Sequence, residues 1–285
     1  MIIKGINTAS IKQSDHFVLM TFKINDHKDT NRILYMQITT LVDFIIILRS
    51  RMLKVSERLV SDGIIYKKNI QDDIESLTRN IPEIISNEVM EPNSENLVTS
   101  ITPKFKNDSL TLIVMLQSEQ LITLEINDTQ VEFIIIAIQK ALEAANDKET
   151  LQVIGSLLDF ALCYSVDLSN LEYLNYKEIK HEFWKLHLFS EYMTVLYCFE
   201  TERGKEILAG TVIKTSAQPE TQEVASIVQR IVHLTPMLKV LKEKYPLYQT
   251  FCQRIPSQPM QILTKEECLA PLHAFCLKTQ AALKL

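Results

Sequence analysis

Two stretches of the chain carry the same order of apolar and polar positions. Leu41-Val42-Asp43-Phe44-Ile45-Ile46-Ile47-Leu48 returns as Gln130-Val131-Glu132-Phe133-Ile134-Ile135-Ile136-Ala137. Each follows two runs rich in β-branched and aromatic residues with a polar connection between them: 17–24 and 33–38 around 25–30, then 110–116 and 121–126 around 117–120. Runs of that length and composition predict strands joined as β-hairpins.

A helix is predicted after each hairpin. In the first, Ile45, Leu48, Met52, Val55 and Leu59 recur at helical spacing, Thr39 and Thr40 offer N-cap hydroxyls, and Asp62-Gly63 supplies a stop. This helix, 41–61, starts apolar nearly all round and ends with Arg49, Arg51, Lys54, Glu57 and Arg58, so its beginning is expected in the core and its end in water. In the second, Val131, Ile134, Ile135, Ile138 and Leu142 make the stripe, and Asn146-x-x-Glu149 resembles a capping box opening a further helix over 147–164.

A more divergent third copy follows. Residues 193–199 and 207–213 flank an Arg203-Gly204 turn, Pro219 stands where a first helical turn tolerates proline, and Val224, Ile227, Val228 and Ile231 form the helix stripe. Short segments upstream of each hairpin, Ser10-Ile11-Lys12, Lys104-Phe105-Lys106 and Lys185-Leu186-His187, add a third strand to each unit. Residues 67–96 read as a polar connector with a short helix over 70–79 that ends before Pro82. After Pro236 a helix runs to 245, Pro246, Pro256 and Pro259 interrupt the chain, and Thr264-x-x-Glu267 caps a final helix or a helix pair broken at Pro271.

The expected fold class is α+β: three tandem hairpin-plus-helix (βββα-like) units with internal pseudo-symmetry, antiparallel sheets and a helical C-terminal cap. The units, about 1–66, 97–165 and 176–235, are expected to form one compact repeat-built domain over 1–285, with 67–96 as connector and 236–285 as the helical end. A hairpin with one apolar face cannot stand alone in water, so the units must pack on one another. The competing account is that strand-then-helix succession is common and that core chemistry alone produced the two V-[DE]-F-I-I-I matches.

Composition narrows the function classes. The 285 residues, 46% hydrophobic, are enough for one or two full cores. A net charge of −5 gives no global attraction to nucleic acid or anionic lipid. The N-terminus lacks the apolar run of a signal peptide, and no apolar stretch reaches the roughly 20 residues of a membrane helix, so a soluble cytoplasmic protein without membrane association is expected. Five cysteines without a C-x-x-C pair suggest neither a disulfide framework nor a structural zinc site. With only five glycines, none clustered, the nucleotide-binding and α/β-hydrolase signatures are absent, and no cofactor is expected.

Among candidate sites, Asp43 and Glu132 are placed by the pattern in first helical turns, where a carboxylate interacts favourably with unpaired N–H groups; paired between repeats, they would make an acid–base or metal site. Glu178, His181 and Glu182 would share a face if 176–184 is helical, with His187 near enough to complete a metal set; in a strand, His181 and Glu182 point oppositely. Arg51, Lys54 and Arg58, within a basic stretch that includes Arg49, Lys67 and Lys68, share a helical face that could meet phosphates, against which the interleaved Glu57 and Asp62 weigh. Cys268, His273 and Cys276 lie close in the last helix without zinc spacing, and Phe183, Trp184 and Phe189 are either an aromatic contact patch or core. For each set, the ordinary alternative is a solvated surface or packing.

The stretch 121–138, the segment Ile154-Gly155-Ser156-Leu157-Leu158-Asp159-Phe160 and the segment 190–202, with Ser190-Glu191-Tyr192-Met193 at its head, resemble the YjeJ-like family of uncharacterised bacterial proteins over most of the chain. The resemblance implies a cytoplasmic protein of enterobacterial type and transfers no site residues. With clear repetition and little polar convergence, the expected function is a non-enzymatic protein-interaction or regulatory module, with itself or another protein as partner and homo-oligomer formation one form of this. The alternatives are an enzyme with an acidic or metal-assisted site between repeats, and a regulator meeting nucleic acid through the basic end of the first helix.

Overall fold

A computed structural model describes residues 1–170, 175–258 and 260–283. The chain divides into two compact units, Met1–Leu158 and Asp159–Leu285.

The first unit holds two successive three-stranded antiparallel sheets, each followed by a helix. Strands β1 (Ile3–Gln13), β2 (His16–Asp26) and β3 (Asn31–Met36) pair in chain order and lead into α1 (Ile38–Ser61). Helix α2 (Gly63–Arg79), the short α3 (Ser86–Met90) and a 3-10 turn at Ser94–Asn96 fill what the sequence suggested was a loose connector. Strands β4 (Val98–Phe105), β5 (Ser109–Leu116) and β6 (Leu121–Asn127) then repeat the order and lead into α4 (Asp128–Ala145) and α5 (Lys148–Leu157). The two sheet-and-helix sets meet reciprocally: a parallel bridge joins Ile2 to Glu125 beside β6, another joins Tyr35 to Leu97 beside β4, α4 lies on β1, and α1 lies on β4.

That exchange explains the recurrent apolar pattern. Leu41, Val42 and Phe44 through Leu48 are all buried in α1, because this helix is covered by sheet and by α4 together. In α4 the covering is narrower: Val131, Ile134 and Ile138 are buried while Ile136 faces solvent. The predicted burial of its beginning therefore holds for α1, while α4 is buried along a stripe.

Helix ends differ in detail from the sequence reading. Helix α1 starts at Ile38 with Gln37 as N-cap, so Thr39 and Thr40 are inside it. Gly63 does not end the helical stretch; it takes φ +54°, which costs glycine little, and opens α2 after a break at Asp62. Asn146 is the left-handed C-cap of α4, and Asp147 caps α5 by accepting from the Thr150 amide.

The second unit departs from a third βββα copy. Strands β7 (Phe160–Asp167), β8 (Asn175–Glu178), β9 (Glu191–Thr201), β10 (Gly204–Thr215) and β11 (Leu247–Ile255) form one antiparallel sheet ordered β11-β9-β10-β7-β8. The hairpin β9–β10 stands where predicted. Its upstream partner is β7, which the sequence reading made the end of a helix over 147–164, whereas 185–187 belong to the short helix α6 (Phe183–His187) rather than to a strand. Apolar runs as short as 160–166 look alike in a buried strand and a buried helix, so periodicity could not separate them.

Helices α7 (Gln222–Leu234) and α8 (Pro236–Lys244) cover one face of this sheet, and α9 (Lys265–Leu283) covers the other. Met193, Val195, Tyr197 and Phe199 of β9 pack with Val224, Ile227 and Ile231 of α7, while Tyr192, Leu196 and Cys198 pack with Cys268, Leu272 and Cys276 of α9. A strand covered on both faces reads as a continuous apolar run. At Gly210 a Cβ would press on Leu168 and Leu272, so the glycine lets α9 lie close to β10. Helix α9 continues through Pro271, Thr221 caps α7, and Pro219 precedes that helix. Strand β11, between Pro246 and Pro256, was not predicted; Pro259 lies outside the described residues. Among the described residues no single helix is long and apolar enough to cross a membrane; α7 and α8 pass by composition only as a pair, and that pair is bent by 90°.

Candidate functional site

In the first unit a cleft of about 830 Å³ lies at the corner between α1 and α2. Helix α2 supplies one wall through Ile65, Tyr66, Asn69, Asp72 and Asp73, which follow the helical repeat from the preceding Asp62; Asp108, Asn127 and Thr129 supply the other. Four carboxylates, Asp62, Asp72, Asp73 and Asp108, line it against one guanidinium, that of Arg58.

The second wall is held by a buried ion pair. Arg51, 1% exposed, donates from Nε and Nη2 to the two carboxylate oxygens of Asp128 at 2.7 and 2.6 Å, and Nη2 also donates to the carbonyls of Lys106 and Asn107 at 3.0 and 3.1 Å. The Asp128 amide donates in turn to the Asp108 carbonyl at 3.0 Å. Arg51 thus ties the turn between β4 and β5 to the first turn of α4, and so fixes where Asp108 stands. The Asp108 carboxylate pairs with Arg58, whose guanidinium carbon lies 5.7 Å from the centroid of the Tyr66 ring. Thr129 donates to Asp73, and Ser61 to Asp62 at 3.0 Å. Asp72 has no hydrogen-bond or ion-pair partner among the described residues.

Tyr66 is the anomaly of the site. Its side chain is 5% exposed, and its hydroxyl is buried without a hydrogen-bond partner among the described residues. Burial raises its pKa above the usual phenol value, the Asp128 charge adds to that and Arg58 opposes it, so the group stays a neutral phenol at physiological pH. A buried polar atom left unpaired is destabilising unless a ligand satisfies it.

The sequence candidates distribute differently. Arg51, Lys54 and Arg58 do not form a basic face: Arg51 is consumed in the core, Arg58 is paired in the cleft, and Lys54 is exposed. Asp43 sits in the second turn of α1, half-buried, and Glu132 is an exposed residue of α4 beyond its first turn; the first-turn acid of α4 is Asp128. Residues 176–182 are not helical, and the short helix α6 begins only at Phe183. Glu178 ends β8, while His181 and Glu182 precede α6. The Nε2–H of His181 donates to the Leu162 carbonyl at 2.8 Å, which leaves that nitrogen no lone pair for a metal. Among the described residues no group of three His, Cys, Asp or Glu side chains is placed to hold a metal ion. Phe183 is exposed, Trp184 half-buried and Phe189 core, so the three make no shared patch.

In the second unit, burial pushes the thiols of Cys163 and Cys268 up to about 12 and those of Cys252 and Cys276 up to about 11, which keeps them protonated and unreactive. Cys268 and Cys276 are accordingly packing residues of α9. Lys214 is also buried in β10; its ammonium donates to the Gln261 carbonyl at 3.1 Å and lies 4.7 Å from the Tyr192 ring centroid, so a cation is held by a carbonyl and an aromatic face.

The cleft residues Tyr66, Asp72, Asp73 and Asp108 escaped sequence reasoning. The stripe Asp62, Tyr66, Asn69, Asp73 was legible at helical spacing, but reading Gly63 as a stop hid it. The pairing of Arg51 with Asp128, 77 positions apart, left no local signal.

The fold and cleft define an α+β protein of antiparallel sheets with a polar pocket at a helix corner and no recognisable catalytic constellation among the described residues. The chain belongs to the YjeJ-like family, whose model matches residues 1–282. It is 31% identical over 275 residues to "Uncharacterized protein YjeJ" of Escherichia coli (strain K12), covering 95% of this chain and 93% of that protein. No solved structure matches it.

Proposed function

We propose that this protein is a non-enzymatic protein-interaction module whose contact surface is the α1–α2 corner. One observation carries the reading: Val60, Ile64 and Ile65 are 88%, 87% and 74% exposed within six residues of chain, on two helices that meet there. Single exposed aliphatics are ordinary, but three within six residues of chain, where one helix gives way to the next, mark a surface that a partner covers. The Arg51–Asp128 pair holds the wall opposite, so the surface is preformed. Cytoplasmic residence, expected from the sequence, accords with this reading.

A photoreactive amino acid placed at Ile64, and separately at the exposed Glu132, tests it in living cells of the source organism. The expected outcome is a discrete protein adduct from position 64 and none from position 132. No adduct from position 64, or an adduct with nucleic acid, overturns the reading.

A further inference from the structure

We infer that strand β11 is the docking edge for a second copy of this chain, whose own β11 pairs with it antiparallel about a twofold axis at Phe251 and joins the two five-stranded sheets into one. This surface lies in the second unit and goes beyond the interaction reading of the α1–α2 corner, on which it does not depend.

The two ends of the sheet are built differently. Strand β8, at one end, is four residues long, exposed throughout, and carries Lys177 and Glu178, the short charged form in which natural edges resist further pairing. Strand β11, at the other, runs for nine residues with prolines only at its flanks, Pro246 and Pro256, and with Arg254 as its one charge. Its bulge lies between Leu247 and Gln249 and leaves 249–255 in regular register on β9. Thr194 of β9 donates to the Gln253 carbonyl at 3.0 Å, so that carbonyl is aimed at β9. Successive residues of a strand turn their amides and carbonyls to opposite sides, so those of Thr250, Cys252 and Arg254 point away from the sheet. Among the described residues nothing hydrogen-bonds to them from that side.

The side chains of β11 single out the occupant. A twofold contact requires each residue to suit the one that mirrors it, and β11 meets that condition about Phe251. Phe251 faces its own counterpart, Thr250 faces Cys252, Gln249 faces Gln253, and Arg254 faces the neutral Tyr248. Arg254 therefore meets no charge of the opposite β11, and its own charge is balanced by Glu191 of β9. The outward amides and carbonyls of Thr250 and Cys252 then bond across the axis. Moving the axis one residue, to Cys252, sets Phe251 against Gln253 and Thr250 against Arg254, and the match of apolar with apolar is lost. A strand of an unrelated protein needs only the backbone edge, whereas a sequence that reads alike from both ends fits its own copy.

Light scattering of the full-length protein over a dilution series, joined to cross-linking, tests the inference. The parent should show twice the mass of one chain at high concentration and fall toward one chain on dilution. Thr250→Pro should be monomeric with the melting temperature of the parent, because the amide it removes is turned away from β9 and an edge strand tolerates proline there. The double variant Gln249→Cys with Gln253→Cys reads the register directly. Its two sites lie about 13 Å apart along one strand, too far to bridge within a chain, but stand opposite each other across the axis. Mild oxidation should join two chains of the double variant, and should not join chains that carry either change alone. A parent that is monomeric at every concentration overturns the inference. So does a dimer that gives no cross-link in the double variant. A dimer dispersed by Ile64→Glu and not by Thr250→Pro overturns it as well, and places self-association at the α1–α2 corner.

Discussion

At the scale of single residues, the arginine that looked most like a phosphate contact is the one most deeply committed to the core. Arg51 satisfies the Asp128 carboxylate and two backbone carbonyls at once. Removing one partner strands a buried charge, so Arg51→Met should cost about 3–5 kcal/mol in urea unfolding. Arg51→Met combined with Asp128→Leu should cost less than the single change, because no charge is left behind. Asp147 has a different role. It accepts from the Phe17 amide at 2.9 Å and from the Thr150 amide at 3.0 Å, bonds that hold its pKa down from 3.8 to about 2, the Phe17 bond being the larger cause. A depressed carboxylate stabilises the fold above its unfolded pKa and stops doing so as pH falls through its folded one. The difference in urea midpoint between the parent and Asp147→Asn should therefore be full above about pH 4 and shrink toward pH 2. A difference that stays constant across that window would refute this role.

At the scale of elements, the connection between the two βββ sheets is a built structure rather than a tether. Helix α2 packs on β1, and its C-cap residue Asn80 approaches so closely that a Cβ on Gly5 would fall far inside contact distance of the Asn80 carbonyl oxygen. The atom in the way is backbone, so neither residue can rotate aside. Gly5→Ala should destabilise the fold by about 1–3 kcal/mol, the scale of overpacking. Hydrogen exchange should show the loss as earlier opening of α2; unchanged protection there would count against this contact. Strand calls made from alternation and β-branched composition survived at this scale, as β2–β3, β5–β6 and β9–β10 demonstrate. Helix ends shifted because capping depends on side-chain geometry, as the move from Asn146 to Asp147 shows.

At the scale of the whole molecule, succession of hairpin and helix has different outcomes in the two units. In the first, the helix that follows each sheet covers a strand of the other sheet, so similar apolar stretches serve in α1 and α4. In the second, the same hairpin-and-helix vocabulary is drawn into a five-stranded sheet covered on both faces. The polar cleft belongs to the first arrangement, where α1 gives way to α2 against the beginning of α4.

The sequence by itself determined the α+β class, three hairpins and the apolar stripes of α1, α4 and α7, because these depend on the local periodicity of burial. Only the tertiary structure decided that 160–167 is strand rather than helix, that Arg51 belongs to Asp128 rather than to a phosphate, and that Asp72 and Asp108 face one cleft with Tyr66 between apolar and polar ground. Those outcomes depend on which distant segments share a low-dielectric interior, and pairings across long separations leave no trace in local pattern.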